Sequence, residues 1–247
     1  MGYEGPLIKD GIRVDGRRVD ELRPIEIKAH VLNEADGSAY IKWGNNKILA
    51  SVYGPKECLP KHIANPFRAI VRANYNMAPF ASKEGHGRAG PSRRSIELSK
   101  IIGEVFENVI LTEQFPTTMI DIYIDVLQAD GGTRCAAITA ASVALADAGI
   151  PMRDMVSAVA GGVIEGTPVL DLNYIEDSAE GADLPMAFTH RDKDVLLLQM
   201  EGDITIDQFK KVFEMCKRAA DTVYELQRKA LEEKYTQPPE EIARLKL

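Results

Sequence analysis

Residues 120–134 read Ile120-Asp121-Ile122-Tyr123-Ile124-Asp125-Val126-Leu127-Gln128-Ala129-Asp130-Gly131-Gly132-Thr133-Arg134. Ile120, Ile122, Ile124 and Val126 alternate with Asp121, Tyr123 and Asp125, the period of a strand with one buried face. The glycine turn that follows opens a stretch over 136–148 rich in small residues, which Gly149 and Pro151 end. That stretch predicts a helix able to lie close against a sheet or another helix.

The turn between strand and helix is itself informative. A helix N-terminus carries unpaired N–H donors and partial positive charge, glycines let a ligand approach the backbone, and an arginine can grip two phosphate oxygens at once. Asp130-Gly131-Gly132-Thr133-Arg134 therefore reads as an anion site. It also reads as an ordinary turn with a threonine N-cap and a solvated arginine.

Working outward, Ile25 to Val31 alternates, and Ser38 to Trp43 and Lys47 to Tyr53 flank a Gly44-Asn45-Asn46 turn as a hairpin does. Arg68 to Met77 predicts another strand. Ile96, Ile101, Ile102, Val105, Phe106, Val109 and Ile110 then recur at helical spacing, with Ser92 placed to cap the start. Beyond the central unit, strands are expected at Ala158 to Ile164, Pro168 to Leu172, Phe188 to Thr189 and Val195 to Met200. Thr205-Ile206-Asp207-Gln208 has the form of a capping box and opens a long helix with its inward stripe on Phe209, Val212, Phe213, Cys216, Ala220 and Val223. Strands, helices, strands, helix is the order of an α+β fold.

Length and composition bound the class. The 247 residues, 45% hydrophobic, are enough for one large domain or two small ones with a buried core. Cys58, Cys135 and Cys216 are widely spaced and odd in number, which argues against a disulfide framework or a structural zinc site. The N-terminus is charged, and no apolar run approaches the roughly 18 residues of a membrane span. The expected location is the cytoplasm. Net charge is −7, yet residues 56–100 hold nine Lys/Arg against three acids, leaving −13 for the remainder. Such a segment suits a polyanion, or a solvated basic face.

Three further constellations stand out. Glu176, Asp177, Glu180 and Asp183 lie within eight residues of an expected loop, where Gly181 would permit a reversal that brings Asp177 and Asp183 together. There they would share a Mg²⁺ ion or leave one carboxyl as a general acid; a solvated acidic loop is the plainer reading. Arg93 and Arg94 sit on the first turn of the expected helix, where cations oppose the helix dipole unless an anion is near. Gly85-His86-Gly87-Arg88-Ala89-Gly90 matches a dinucleotide fingerprint on paper but lacks the strand–turn–helix context, so it is read as a glycine-rich loop. Lys61, His62 and Arg68 would suit a loop tracking a nucleic-acid backbone.

Taken in order and spacing, these segments resemble the RNase PH family of phosphate-dependent exoribonucleases, and within it the ring subunits of archaeal exosomes. The resemblance covers nearly the whole chain. It rests on Arg13-Val14-Asp15-Gly16-Arg17, Leu22-Arg23-Pro24, Asn74 to Phe80, Arg93 to Ser99, Asp130 to Arg134, Asp171-Leu172-Asn173-Tyr174 and Glu176-Asp177.

The resemblance implies an RNase PH-like (ribosomal protein S5 domain 2-like) α+β fold of paired β–α units over a single domain 1–247, with sub-lobes at about 10–150 and 151–236 and a tail at 237–247. It implies phosphorolysis of single-stranded RNA from the 3′ end, with inorganic phosphate as co-substrate and nucleoside diphosphates as products. The reverse reaction would add 3′ tails. Gly132, Thr133 and Arg134 would bind the attacking phosphate, and Arg93 and Arg94 the terminal RNA phosphates. Asp183 would be the general acid, and Asp177 would assist it or, with Asp183, hold Mg²⁺. Lys61, His62 and Arg68 would give a second RNA contact. The implied partners are a homologous non-catalytic subunit alternating in a hexameric ring and S1- or KH-domain cap subunits. Thr133 replaces a serine common in the family and keeps its hydroxyl; Pro185 stands where bacterial polynucleotide phosphorylase has a lysine. A stand-alone tRNA-trimming homohexamer and a non-catalytic RNA-binding ring subunit are the alternatives.

Overall fold

The computed structural model describes residues 5–82, 92–179 and 181–236; the glycine-rich motif at 85–90, Glu180 and the tail at 237–247 lie outside them. A short hairpin, β1 (Ile8–Lys9) and β2 (Ile12–Arg13), leads into a five-stranded sheet. That sheet holds β3 (Ile25–Ala29), β4 (Gly37–Trp43), β5 (Asn46–Glu57), β6 (Ile70–Met77) and β7 (Thr118–Gln128) in the order β3-β4-β5-β7-β6. Trp43 pairs with Asn46, so the hairpin turn is Gly44-Asn45. Only β6 and β7 run parallel, joined by α1 (Arg93–Glu107).

The second sheet is antiparallel, in the order β11-β10-β8-β9, with β8 (Val156–Ile164), β9 (Thr167–Leu170), β10 (Gly181–Thr189) and β11 (Val195–Leu198). Two helices cover it: α2 (Thr133–Asp147), and the 31-residue α4 (Ile206–Thr236), opened by the expected exchange between Thr205 and Gln208. The α+β expectation is met.

The position of α2 explains its sequence. It lies between the sheets, touching β4, β5 and β8, and 13 of its 15 residues are buried. A helix apolar all round belongs in an interior, and alanines let it approach closely. Gly37 of β4 shows how closely: a Cβ there would stand 2.3 Å from Ala144 O.

Two expectations need correction. Ile96 is 61% exposed; at about 100° per residue it points away from the stripe of Leu98, Ile102, Val105 and Phe106 that α1 buries. The expected acidic loop is not a loop. Asn173 caps a single helical turn, α3 (Tyr174–Asp177), and Asp183 lies on β10, which begins at Gly181 and not at Phe188.

Ser92 caps α1 as expected, in a reciprocal box with Ser95. Ser92→Ala should cost about 1 kcal/mol, read as a lower chemical-denaturation midpoint at unchanged slope.

Candidate active site

The turn before α2 is held from behind. Asn46 accepts from Asp130 N and donates to Gly131 O, both at 2.6 Å. Arg23 donates to Asp130 O at 2.5 Å and to Gly131 O at 3.2 Å. These bonds fix the carbonyl side of the turn against the protein. Gly131 has φ +73° and would place a Cβ 2.6 Å from Asn173 C, so only glycine fits.

Thr133 is not the cap that an ordinary turn would use. The N-cap is Gly132, left-handed at φ 68° with no side-chain cap, and Thr133 is the first helical residue. Its hydroxyl instead accepts from Tyr75 OH at 3.0 Å. The first N–H groups of α2 thus keep the orphan donors and positive potential of an uncapped helix start.

A buried charge network fixes the connection from β9 to α3, against which Gly131 packs. Asp171 accepts from Arg23 N, Nε and Nη2 at 2.8, 3.0 and 2.6 Å, from Trp43 Nε1 at 2.9 Å and from Arg17 Nη1 at 3.4 Å. Burial alone would push its carboxyl up, but Arg23 outweighs that and holds it below the usual range. Arg13 forks onto the buried Glu176 and donates to Leu170 O and Asp171 O. Of the four acids in the expected loop, Glu176 is therefore structural.

Asp177 ends α3, and Asp183 faces the same space from β10. Asp183 exchanges both backbone hydrogen bonds with Glu201, at 3.0 and 2.9 Å. Burial, then Asp177, push the Asp183 carboxyl up to about 7, with Glu201 adding to the rise and Arg134 and Arg94 opposing it. Asp177 is also raised, by desolvation of its carboxyl and by Glu201, although the residue as a whole is exposed. Both carboxyls are thereby pushed above the ordinary carboxylate range, Asp183 to about 7, and they face two arginines from other elements. The carboxylates also explain the cations on the first turn of α1: Arg94 has its counter-charges across the cleft.

Arg134 donates from Nη1 to Gln199 Oε1 at 2.5 Å, while its Nε is buried with no partner among the described residues. Gln199 and Glu201 were missed by sequence reasoning. They follow an apolar strand without any motif, and the one signal is Gly202, whose φ of +88° lets this segment press on Gly181 O.

Gly132, Thr133, Arg134, Arg94, Asp177 and Asp183 are thus brought together. Arg93 is exposed on the same turn as Arg94. Lys61, His62 and Arg68 are not part of the cluster. Lys61 and His62 lie on a 3₁₀ turn, Lys61 paired with Glu57 and Arg68 with Glu107, both at 2.8 Å. They sit at the Ile70 end of β6, whereas the site lies past the Met77 end, some ~23 Å along the strand.

Asp177 and Asp183 are the hard oxygen donors that Mg²⁺ takes along with waters and substrate phosphates. Among the described residues, no group of three or more His, Cys, Asp or Glu converges to cage a metal. None of their helices is long and apolar enough to cross a membrane.

Models of a 3′ exoribonuclease family match the chain, domain 1 over residues 21–151 and domain 2 over 154–219. The exosome complex component Rrp41 of Thermococcus onnurineus is 54% identical over 234 residues, 95% of this chain and 94% of that protein. Its counterpart in Methanopyrus kandleri is 55% identical over 229 residues, 93% and 95% of the two chains. Among solved structures, rice Rrp46 superposes with a TM-score of 0.80 at 25% identity, covering 89% of this chain and all of that one. A chain of the Archaeoglobus fulgidus exosome with RNA bound to the active site gives 0.76 at 24% identity, over 87% and 92%, a likeness of fold.

Proposed function

The chain belongs to the RNase PH family of 3′ exoribonucleases, and from that premise we propose that it is the catalytic ring subunit of an archaeal exosome. It degrades single-stranded RNA from the 3′ end by phosphorolysis, with inorganic phosphate as co-substrate. The observation that carries the site assignment is the convergence of Arg134 and the α2 N-terminus with Asp183, whose carboxyl is held at about 7.

Phosphate is held by the N–H groups of the Gly132–Arg134 turn and by the Arg134 guanidinium. It attacks the phosphorus of the last phosphodiester; the new P–O bond forms as the bond to the 3′ oxygen breaks. Asp183 gives its proton to that leaving oxygen and is reprotonated from solvent. The products are a nucleoside diphosphate and RNA one nucleotide shorter, and the reverse reaction lengthens RNA. Arg93 and Arg94 hold the terminal RNA phosphates, so two anions are brought together against cations. Asp177 assists Asp183. Mg²⁺, where bound by Asp177 and Asp183, would supply charge neutralisation for the phosphates.

Lys61, His62 and Arg68 contact RNA separately, further upstream. The chain acts as one domain of two lobes, supported by the burial of α2 between both sheets. Its partners are a homologous non-catalytic ring subunit and S1- or KH-domain caps, in the cytoplasm. Retention of Arg134, Asp177 and Asp183 in one cluster weighs against a purely scaffolding role.

The test is to incubate the chain, alone and with its ring partner, with 5′-labelled single-stranded RNA, with and without phosphate. Phosphate-dependent release of nucleoside diphosphates, stronger with the partner present, is expected. Nucleoside monophosphates appearing without phosphate would sink the reading.

A further inference from the structure

We propose that Gln199 is a positioning residue for the phosphate-gripping guanidinium of Arg134. The proposal rests on the reading of Arg134 given above and concerns a side chain with no role in it so far. A guanidinium offers two ways of binding an oxyanion through paired N–H groups, one along its Nε–Nη2 edge and one across its two terminal nitrogens. Gln199 Oε1 takes one N–H of Nη1 and so fixes the guanidinium from that end, with the Nε–Nη2 edge turned away from the glutamine as a two-pronged grip. The Nε of that edge is buried without a partner among the described residues, a state native proteins rarely leave unanswered. A phosphate oxygen would be the acceptor it lacks once the guanidinium turns that edge to the ligand.

Gln199 is itself anchored. Its backbone N donates to Pro185 O at 3.2 Å, two residues along β10 from Asp183, and Glu201 forms the backbone bridge with Asp183. The segment that aims the arginine is therefore registered on the strand that carries the acid. Attacking phosphate and proton donor keep a fixed relation through one stretch of backbone, and a small misplacement of either costs rate steeply.

The experiment uses the assembled ring with Gln199→Leu, Arg134→Lys and the double variant, measuring KM for phosphate, kcat at saturating phosphate, and RNA Kd. Loss of a hydrogen bond to a charged group should raise the phosphate KM of Gln199→Leu by about tenfold to a hundredfold. RNA Kd and the melting temperature should hold, with kcat changed far less than KM. In the reverse direction the KM for nucleoside diphosphate should rise in parallel, because its terminal phosphate takes the same seat. Arg134→Lys should raise phosphate KM too, and Gln199→Leu added to it should have no further effect, since it acts through the fork that lysine lacks. If Gln199→Leu unfolds the subunit, Gln199→Met, closer in shape, carries the same measurements. An unchanged phosphate KM in the glutamine variant with a raised one in Arg134→Lys overturns the role of Gln199 alone. An unchanged KM in Arg134→Lys overturns the assignment of Arg134, and a parallel loss of RNA affinity shows a general distortion and overturns the positioning role.

Discussion

Asp183→Asn removes the proton donor while keeping the shape, and phosphorolysis falls by about 10²–10⁴-fold, the usual contribution of a general acid. RNA affinity stays within about twofold, because the phosphates are held by cations that the change does not touch. Arg93→Glu gives the opposite pattern, weaker binding with a smaller effect on kcat at saturating RNA. Equal loss of RNA binding in both variants would contradict the separation of roles. The wild-type pH profile follows from the carboxyl held at about 7. The acid form is the active one, so kcat/KM, which reports the free enzyme, falls about tenfold for each pH unit above that value, and the descending limb is absent from the residual activity of Asp183→Asn.

The same substitution has a stability signature of opposite sign. The ordinary Asp value is 3.8, and the native one is raised to about 7. Stability from this group is complete below the ordinary value and is lost as pH rises through 7, when a charge must be held beside Asp177 and Glu201. Asp183→Asn should therefore melt higher than wild type at pH 8 and no higher at pH 4. A gain in stability with a loss of rate is what a site kept strained for function produces.

The elements that sequence made legible are those with a strong local period. The alternation of β7, the small residues of α2 and the Ser92 cap each need only neighbours in the chain to be read. Asp183 reads as a loop residue because Pro185 and a run of acids break the strand pattern; what makes that segment a strand is pairing over nine residues with β8, which is beyond the reach of local periodicity. The anion turn was legible from its glycines, but the role of Thr133 was not, since its hydroxyl is taken by Tyr75, 58 positions earlier. Gln199 and Glu201 belong to no motif, and Gly202 beside them is the one local signal. They matter only because an antiparallel bridge sets them beside Asp183 and Arg134. Arg13, Arg17 and Arg23 were visible as motifs, while their work, satisfying buried carboxylates and the carbonyls of the phosphate turn, is visible only in three dimensions.

That work predicts the largest structural effect in the chain. Asp171 is buried and is the counter-charge of Arg23, with Arg17 at its edge. Replacing it with asparagine leaves two guanidinium groups short of their anion in the interior, which costs about 3–5 kcal/mol, or a melting point lower by about 10 °C. The pH dependence identifies the cause. A carboxyl held below its ordinary value contributes its stability above that value and loses it as pH falls through the native one, so the gap between wild type and Asp171→Asn is full at pH 7 and narrows below the ordinary carboxylate range. A second consequence separates this residue from an inert core ion pair. Arg23 spends Nη1 and Nη2 on Asp130 O and Gly131 O, so an arginine released from Asp171 no longer fixes the carbonyl side of the turn. At a temperature where Asp171→Asn remains folded, its phosphate KM should rise severalfold while its RNA Kd does not. A variant that lost stability but kept its phosphate KM would show that Asn46, which grips the same turn from the other side, is sufficient to hold it.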